Sequence, residues 1–309
     1  MNVIEANGLT KQFGAKTVVN DVNLHVEEGQ IYGFLGRNGA GKSTFINMIT
    51  GIIKPTAGDF KLLGETNIEK VYSRIGVLPD YSTFYDSLTA LGHLKYFAKI
   101  NGKKITSSQG KEILDRVGLL EHANIKAGKF SFGMKKKLGI AQAIAHDPDL
   151  IFLDEPTSGV DAESGLSIQQ LILNLKKEGK TIFMTSHNLN EVEKICSRMA
   201  IMKDGKIINE GTLEDLRAHY SSSIQVEIKH SSLENGNRHL INQYLETVGR
   251  EIETEGNVTS MVIESEKKIP QIVRAFTKQN IDLYRINVDE PSLEEIFLKD
   301  QSGAKVSSF

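Results

Sequence analysis

The sequence predicts an α/β fold followed by a smaller α+β module. Short apolar runs, such as Ile31–Leu35 and Leu150–Leu153, alternate with stretches of helical periodicity, which is typical of a mainly parallel sheet covered by helices. A block of helical periodicity over about residues 80–146 interrupts this alternation. After about residue 220 the predicted order becomes strand, helix, strand, strand, helix, strand.

The composition describes an ordinary globular protein of about two domains. The chain has 309 residues, of which 39% are hydrophobic and 25% are charged, and both fractions are typical of folded domains. The net charge of -2 argues against a protein built mainly to bind nucleic acid. The single cysteine, Cys196, excludes an internal disulfide framework. No apolar run approaches the roughly 20 residues of a membrane span, so any spans are expected on another chain.

The first 30 residues predict two strands. Ile4–Asn7 is a short, mostly apolar stretch, and Thr17–Val26 alternates apolar and polar residues, as strands with one buried face do. Phe13 lies between them. An aromatic ring there could stack on a flat ligand, although a lone phenylalanine is more often a core residue. The spacing alone leaves both interpretations open.

Residues Gly36–Ser43 read G-x-x-x-x-G-K-S, the pattern of a phosphate-binding loop. Ile31–Leu35 before it predicts a strand and Lys42–Thr50 after it predicts a helix, so an accidental glycine-rich turn is the weaker interpretation. Backbone N–H groups and the helix dipole would attract phosphate. Lys42 would reach the β- and γ-phosphates, and Ser43 would bind Mg²⁺. The predicted nucleotide-binding residues here are Gly36, Arg37, Asn38, Gly39, Ala40, Gly41, Lys42, Ser43 and Thr44.

The loop favours a P-loop NTPase core, an α/β domain with a mixed sheet. Two further strands are predicted at Asp59–Leu63 and Ile75–Leu78. Over about residues 80–146 apolar residues recur every three and four positions, which predicts an inserted helical subdomain. Its predicted helices are Leu91–Ile100, Gln109–Val117 and Met134–Ala145.

Polar residues follow two buried strands of the second half. Leu150–Leu153 leads directly into Asp154 and Glu155, and His187 closely follows Thr181–Thr185. Ligands in such folds collect at the carboxyl ends of strands, so Asp154 is expected to hold Mg²⁺ and Glu155 to act as general base. His187 would stand beside the same phosphate, although solvated acids and an uninvolved histidine are the plainer alternative. The other predicted elements are helices at Leu166–Lys177 and Leu189–Cys196 and a hairpin of Met199–Met202 with Lys206–Glu210.

In this order the motifs resemble those of the ATP-binding subunit of an ABC transporter over about residues 1–217. The positions that match are Gly36–Ser43 for Walker A, Leu150–Glu155 for Walker B, Ser158–Asp161 for the D-loop, His187 for the switch histidine and Phe13 for the aromatic residue that stacks on adenine. The resemblance implies ATP and Mg²⁺ as cofactors and ATP hydrolysis as the activity. The catalytic residues that it implies are Lys42, Glu155 and His187.

The family's signature, Leu-Ser-Gly-Gly-Gln, corresponds to Phe130–Met134 and retains Ser131 and Gly133. In the family this helix N-terminus binds the γ-phosphate held by a second protomer, so the resemblance implies a dimer. Phe132 replaces a glycine, and its ring could crowd the phosphate or face away. The form Ser-x-Gly-Met followed by basic residues, here Lys135–Lys137, resembles that of exporters of the bacitracin-resistance kind, which favours tolerance of Phe132. The nucleotide-binding residues implied outside the loop are Phe13, Ser131, Gly133 and Asp161.

Asp80 stands where the family carries its Q-loop glutamine. A carboxylate there could still bind Mg²⁺, a cation that takes oxygen ligands, so the predicted metal set is Ser43, Asp154 and Asp80. A solvated turn acid is the alternative. The resemblance implies that Tyr81, Phe84 and Tyr85 meet the membrane subunit's coupling helix, while ordinary loop and core aromatics are the plainer interpretation.

The C-terminal residues 220–309 predict an accessory domain, and the element order is that of a ferredoxin-like module. Val288–Leu298 resembles the ending of ATP-binding subunits in the ABC-2 exporter group, and a last helix is predicted at Ser292–Lys299. Residues 1–219 would then be the ABC-type ATP-binding domain.

These features predict an ATP-hydrolysing subunit that powers a separate transmembrane permease subunit. It would act in a homodimer or with a paired ATP-binding subunit, in the cytoplasm on the inner face of the membrane, and export of an antibiotic, peptide or lipid-like cargo is favoured. No nucleic acid partner is expected. The alternatives are a regulatory subunit and a non-transport ABC ATPase acting on nucleic acid or ribosomes.

Overall fold

In the computed structural model, the described residues are 1–80, 84–100, 102–220, 224–233 and 235–289. They form two compact units, one over Met1–Thr212 and one that begins at Leu213. The sequence predicted a border after residue 219 and no element where the structure forms the helix Leu213–Tyr220. Separate hydrophobic cores lie within the two units.

The first unit combines strands and helices largely where the sequence predicts them. Its strands are β1 (Asn2–Phe13), β2 (Lys16–Glu27), β3 (Ile31–Leu35), β4 (Ala57–Leu62), β5 (Ile75–Leu78), β6 (Leu150–Asp154), β7 (Thr181–Ser186), β8 (Arg198–Lys203) and β9 (Lys206–Gly211). Its α-helices are α1 (Lys42–Ile49), α2 (Ala90–Ile100), α3 (Ser107–Arg116), α4 (Phe132–Ile144), α5 (Ala162–Lys177) and α6 (Leu189–Ile195).

The N-terminal strands form an antiparallel sheet of their own, in the order β2-β1-β4. β1 is much longer than the predicted strand Ile4–Asn7, because polar residues at its end, such as Lys11 and Gln12, still pair with β2. Backbone hydrogen bonds do not depend on side-chain polarity, so the strand continues where the apolar pattern has stopped.

The main sheet has the order β5-β6-β7-β3-β8-β9 and is parallel except for β9, which pairs with β8 in the predicted hairpin. Every residue of β3, β6 and β7 is buried, which explains why these strands read as continuous apolar runs. Leu35 is registered with Ser186, and Asp154 with Thr185. The carboxyl ends of the three central strands therefore meet at one edge of the sheet.

The helical block lies between β5 and β6 in the chain, and its core is continuous with that of the sheet. Leu94 of α2, Leu114 of α3 and Leu138 of α4 belong to the same buried cluster as Leu153 and Ile182 of the sheet. The amphipathic periodicity thus reports packing onto the sheet as well as packing among the helices. The fold class predicted for this unit, a P-loop NTPase core with an inserted helical segment, is confirmed.

The second unit contains α7 (Leu213–Tyr220), β10 (Ile224–His230), α8 (Asn235–Val248), β11 (Arg250–Glu255), β12 (Val258–Ile263), α9 (Ile269–Lys278) and β13 (Leu283–Asp289). Its strands form an antiparallel sheet in the order β11-β12-β10-β13, the strand order of a ferredoxin-like module. The predicted helix Ser292–Lys299 lies outside the described residues, as does Tyr81. Among the described residues, no helix has both the length and the apolar composition needed to cross a bilayer.

Candidate active site

The predicted phosphate loop connects β3 to α1 and adopts a backbone that glycine allows. Gly39 and Gly41 have φ angles of 84° and 111°, in the region that favours glycine. A Cβ on Gly41 would also lie 2.6 Å from the carbonyl oxygen of Val18. Gly41 is the N-cap of α1, and as a glycine it has no side chain that could accept a hydrogen bond from the helix. The first N–H groups of α1 therefore remain available to an anion.

A cavity of about 630 Å³ opens on this loop, a volume that is ordinary for a ligand site. Among the described residues, one wall is the loop itself, and the other wall comes from the segments after β5 and β6 and from the start of α4. The lining residues that the sequence predicts as site residues are Arg37, Asn38, Gly39, Gly41, Lys42, Ser43, Thr44, Asp80 and Glu155. Phe84 and Phe132, for which the sequence predicted other roles or left the role open, also line the cavity. The lining residues that were not predicted as nucleotide-binding or metal-binding include Val18, Lys135 and Lys136.

Lys42, Glu155 and His187 form a chain of contacts beside the loop. The Lys42 ammonium donates to the carbonyl oxygen of Gly36 at 2.7 Å and lies 3.2 Å from Glu155 Oε1. The other oxygen, Glu155 Oε2, lies 2.7 Å from His187 Nδ1. Lys42 and Glu155 are buried, whereas the His187 side chain is half exposed. The three predicted catalytic residues are thus brought together by β3, β6 and β7.

Asp154 is buried beside Glu155, and two hydroxyl groups hydrogen-bond it. Thr185 Oγ1 donates to Asp154 Oδ1 at 2.5 Å, and the Ser43 side chain also contacts this carboxylate. Burial raises the pKa of Asp154, and the two hydroxyls oppose that shift. A hydroxyl and a carboxylate are the hard oxygen donors that Mg²⁺ takes when phosphates and water complete its shell. The residues present therefore fit the expected cation.

Glu155 has a strained backbone that two side chains hold. Its φ is 50°, an unusual value for a residue with a side chain. Its N–H donates to Thr185 Oγ1 at 2.9 Å, and its carbonyl oxygen accepts from Lys136 Nζ at 2.8 Å. Neither Thr185 nor Lys136 was predicted from the sequence to have a role in the site. A polar residue at the end of an otherwise apolar strand, beside the strand of Asp154, was the available signal for Thr185.

The signature and the D-loop lie against each other within the chain. Ser131 caps α4 through the N–H of Met134, and Asp161 caps α5 through the N–H of Ser164. A Cβ on Gly133 would lie 2.6 Å from Ser164 Oγ, so the two helix N-termini pack closely. The ring of Phe132 lies near Gly159 of the D-loop, where a Cβ would be 3.1 Å from the ring. The ring thus packs on the D-loop of its own chain, while it stays more than half exposed and lines the loop cavity.

Four further predicted site residues differ in their burial and in their contacts. Gly36 accepts from Lys42 through its carbonyl oxygen, and Ala40 is buried in the core. Phe13 is half exposed, and the ammonium of Lys11 lies 5.0 Å from the centre of its ring. Phe13 is not among the described residues that line the cavity. Asp80 lines it, with Oδ1 3.6 Å from Lys136 Nζ.

A buried carboxyl group that the sequence analysis missed joins the D-loop region to the strand before His187. Glu191 Oε2 accepts from Thr157 Oγ1 at 2.6 Å and from Ser186 Oγ at 3.1 Å. Its Oε1 has no hydrogen-bond partner in the part of the chain that the structure describes. Burial raises the pKa of Glu191, and the two hydroxyls oppose the shift.

This raised pKa predicts a specific pH dependence of stability. The folded chain holds the Glu191 proton more tightly than the unfolded chain, whose value is near 4.5. The contribution of Glu191 to the free energy of unfolding is therefore fully present below the pKa of the unfolded chain. It is lost as the pH rises through the higher pKa of the folded chain. Glu191→Gln is expected to make stability fall less steeply as the pH rises. The midpoint of urea unfolding, measured over a range of pH, gives this slope. Glu178→Gln, an exposed carboxylate, is the control, and an identical slope in Glu191→Gln and wild type would contradict the prediction.

Comparison with known proteins places these features in a family. The family model "ABC transporter" matches residues 19–158, and "ATP-binding protein DrrA1-3-like, C-terminal domain" matches residues 211–300. The bacitracin transport ATP-binding protein BcrA of Bacillus licheniformis is 35% identical over 98% of this chain and 99% of its own length. The linearmycin resistance ATP-binding protein LnrL of Bacillus subtilis is 32% identical over 96% of this chain and 97% of its own.

A solved structure supports the same relationship for the first unit. The dimeric post-hydrolysis state of an ATP-binding cassette bound to ADP and phosphate is 26% identical, with a TM-score of 0.61. The match covers 68% of this chain and 98% of that chain.

Proposed function

The chain belongs to the family of ABC transporter ATP-binding proteins, and from this premise we propose which of its residues perform each step. It is the ATP-binding and ATP-hydrolysing subunit that powers a membrane transporter, and it is of the ABC-2 exporter type. The observation that carries the assignment of residues is the contact of Glu155 with both Lys42 and His187 beside the loop cavity.

Nucleotide binding is assigned to the loop and the start of α1. Backbone N–H groups would hold the phosphates, and Lys42 would bridge the β- and γ-phosphates with its ammonium. Phe13 would stack on adenine, with one face of its ring open to the base because the side chain is half exposed. The loop residues that would surround the phosphates are Gly36, Arg37, Asn38, Gly39, Ala40, Gly41, Ser43 and Thr44.

Ser43 and Asp154 would hold Mg²⁺, with Asp80 as a further candidate ligand. When bound, the cation would neutralise charge on the β- and γ-phosphates. Asp154 is already oriented for this by Thr185 and Ser43. Its carboxylate must be ionised to bind a cation, which phosphate-bound Mg²⁺ would favour by lowering the pKa that burial has raised.

Glu155 would act as general base toward the attacking water. The Lys42 ammonium lies 3.2 Å from one oxygen of this carboxylate, Glu155 Oε1. When the phosphates attract the ammonium, Glu155 Oε1 becomes available to accept a proton from water. His187 would steady the other oxygen and face the γ-phosphate, since its side chain is half exposed next to the carboxylate.

The complete site would require a second protomer. Ser131, Gly133 and Asp161 lie together at two helix N-termini, an arrangement suited to the γ-phosphate held by another chain. The dimeric relative with ADP and phosphate supports this assembly. The partner chain would be a second copy or a paired ATP-binding subunit.

The membrane partner would be a transmembrane permease subunit on a separate chain, and this subunit would bind at the inner face of the membrane. The bacitracin and linearmycin names of the relatives favour an antibiotic, peptide or lipid-like cargo and export as the direction. Phe84 and Tyr85 form an aromatic group with His93, Tyr96 and Phe97. We assign this group to the contact with the permease, because Tyr85 and Tyr96 are exposed there.

The proposal predicts ATP-dependent dimerisation, which light scattering can measure. Glu155→Gln with Mg-ATP is expected to form dimers, because ATP is bound and not consumed. Adding Ser131→Ala should weaken the dimer, whereas adding Thr106→Ala, which removes the cap of α3, should not. Each substitution removes a helix cap and lowers stability by about 1 kcal/mol. A difference in dimerisation between the two variants therefore isolates the role of Ser131. A chain that binds ATP and stays monomeric at micromolar concentrations would overturn the dimer mechanism.

A further inference from the structure

Lys136 lies in the second turn of α4 and places a cation in the interior of the first unit. The residue is 5% exposed, which is rare for lysine unless it is paired. Its ammonium donates to the carbonyl oxygen of Glu155 at 2.8 Å and to that of Asp80 at 3.3 Å. It also lies 3.6 Å from the Asp80 carboxylate. One side chain thus contacts the segments that follow β5 and β6.

The contact with Glu155 acts on a backbone that is costly to maintain. The φ of 50° is disfavoured for glutamate by roughly 1–3 kcal/mol unless the surroundings impose it. Thr185 fixes the N–H side of this residue, and Lys136 fixes the carbonyl side. The direction in which the Glu155 carboxylate leaves the main chain therefore depends on both.

The contact with Asp80 balances charge. Asp80 and Glu155 line the cavity, Asp154 is buried beside Glu155, and Lys136 interacts with all three carboxyl groups. Burial lowers the pKa of Lys136, and Asp80 is the strongest influence opposing that shift. Without Lys136, the negative charge of Asp80 would repel that of the Glu155 carboxylate, and a low dielectric constant would strengthen this repulsion.

We propose that Lys136, paired with Asp80, is a positioning residue for ATP hydrolysis. Its ammonium holds the Glu155 backbone and transmits displacements of the Asp80 segment to the catalytic base. The inference rests on the proposed role of Glu155. Its geometric basis is that α4, which begins at Ser131, reaches the end of β5 and the end of β6 through one ammonium group. Because this ammonium is shared, a motion of α4, of the end of β5 or of the end of β6 changes the hydrogen bonds that it makes with the other segments.

The test is a double-mutant cycle of Lys136→Gln and Asp80→Asn, read as kcat and KM for ATP. It uses the full chain in the form that hydrolyses ATP, alone or with its membrane subunit, so wild-type turnover is established first. Lys136→Gln is expected to lower kcat about tenfold or more in wild type and about threefold or less in the Asp80→Asn background, since contacting residues couple in this way. KM should change less than about twofold, because the Lys136 ammonium bonds to the carbonyl groups of Glu155 and Asp80 and the proposed phosphate contacts of the loop and Lys42 remain.

Lys137→Gln is the matched control, as it makes the same change at the next, half-buried position of the same helix. Equal fold-losses in both Asp80 backgrounds would overturn the pairing, and an unchanged kcat in Lys136→Gln would overturn the positioning role. If Lys136→Gln does not fold, Lys136→Arg keeps the charge and shifts its donors, and kcat should again fall with KM unchanged. A failed assignment of Glu155 would be visible separately, as turnover that survives Glu155→Gln.

Discussion

Replacing Glu155 by Gln is expected to lower ATP turnover by roughly two to four orders of magnitude, the usual contribution of a positioned general base. The carboxylate lies between Lys42 and His187 and lines the loop cavity, which is the placement that a proton acceptor for the attacking water requires. Glutamine keeps the size and the contact with His187 but cannot take a proton. Steady-state release of phosphate measures turnover, and binding of a fluorescent ATP analogue measures affinity.

ATP affinity should remain within a few-fold of wild type in that variant, because the loop and Lys42 are unchanged. Glu178→Gln makes the same chemical change at an exposed site and should leave turnover intact. Residual turnover above a tenth of wild type in Glu155→Gln would contradict the assignment of the base. A proton acceptor other than Glu155 would then have to be found near the cavity.

Replacing Lys42 by Met is expected to weaken ATP binding at least about a hundredfold and to abolish turnover, because each hydrogen bond to a charged group contributes roughly 1.5–3 kcal/mol. Methionine keeps most of the stem length while removing the ammonium. The change also leaves the buried Glu155 carboxylate without the cation beside it, which disfavours its ionised form. Titration with the fluorescent analogue gives the affinity.

Lys180→Met is the matched control for this variant. Lys180 is also a largely buried lysine in an ion pair, with Asp147 at 2.6 Å, but it does not line the loop cavity. It should bind ATP as the wild type does. Wild-type affinity in Lys42→Met would exclude the predicted phosphate contact, and equal losses in both variants would indicate general destabilisation.

The fold was predictable where one local pattern determines one element. β3, β6 and β7 are fully buried, so their apolar runs mark them without reference to partners. The length of β1 and the separation of an antiparallel N-terminal sheet were not predictable, because both depend on pairing with distant strands. Helix Leu213–Tyr220 was missed because its apolar face is short and weakly marked.

The candidate site shows the same division. The loop motif and the acids after β6 identify Lys42, Ser43 and Glu155, because their chemistry requires fixed spacing within one segment. The partners that orient them were not identified, since Thr185 and Lys136 act across strands and helices. A lysine run reads as a solvated surface in sequence, and only the packing of α4 shows that its middle member is internal.

The strand order has a consequence for how the protein is made. β3 and β6 do not pair with each other, because β7 lies between them, yet the loop follows β3 and the catalytic acids follow β6. During synthesis the chain produces both β3 and β6 before β7, so the strand pairing that sets the two halves of the site side by side is complete only once residue 186 has been added. A nascent chain therefore cannot assemble a complete ATP site early, and ATP preferentially stabilises the finished sheet. We therefore expect nucleotide binding to report that β7 has joined the sheet between β3 and β6.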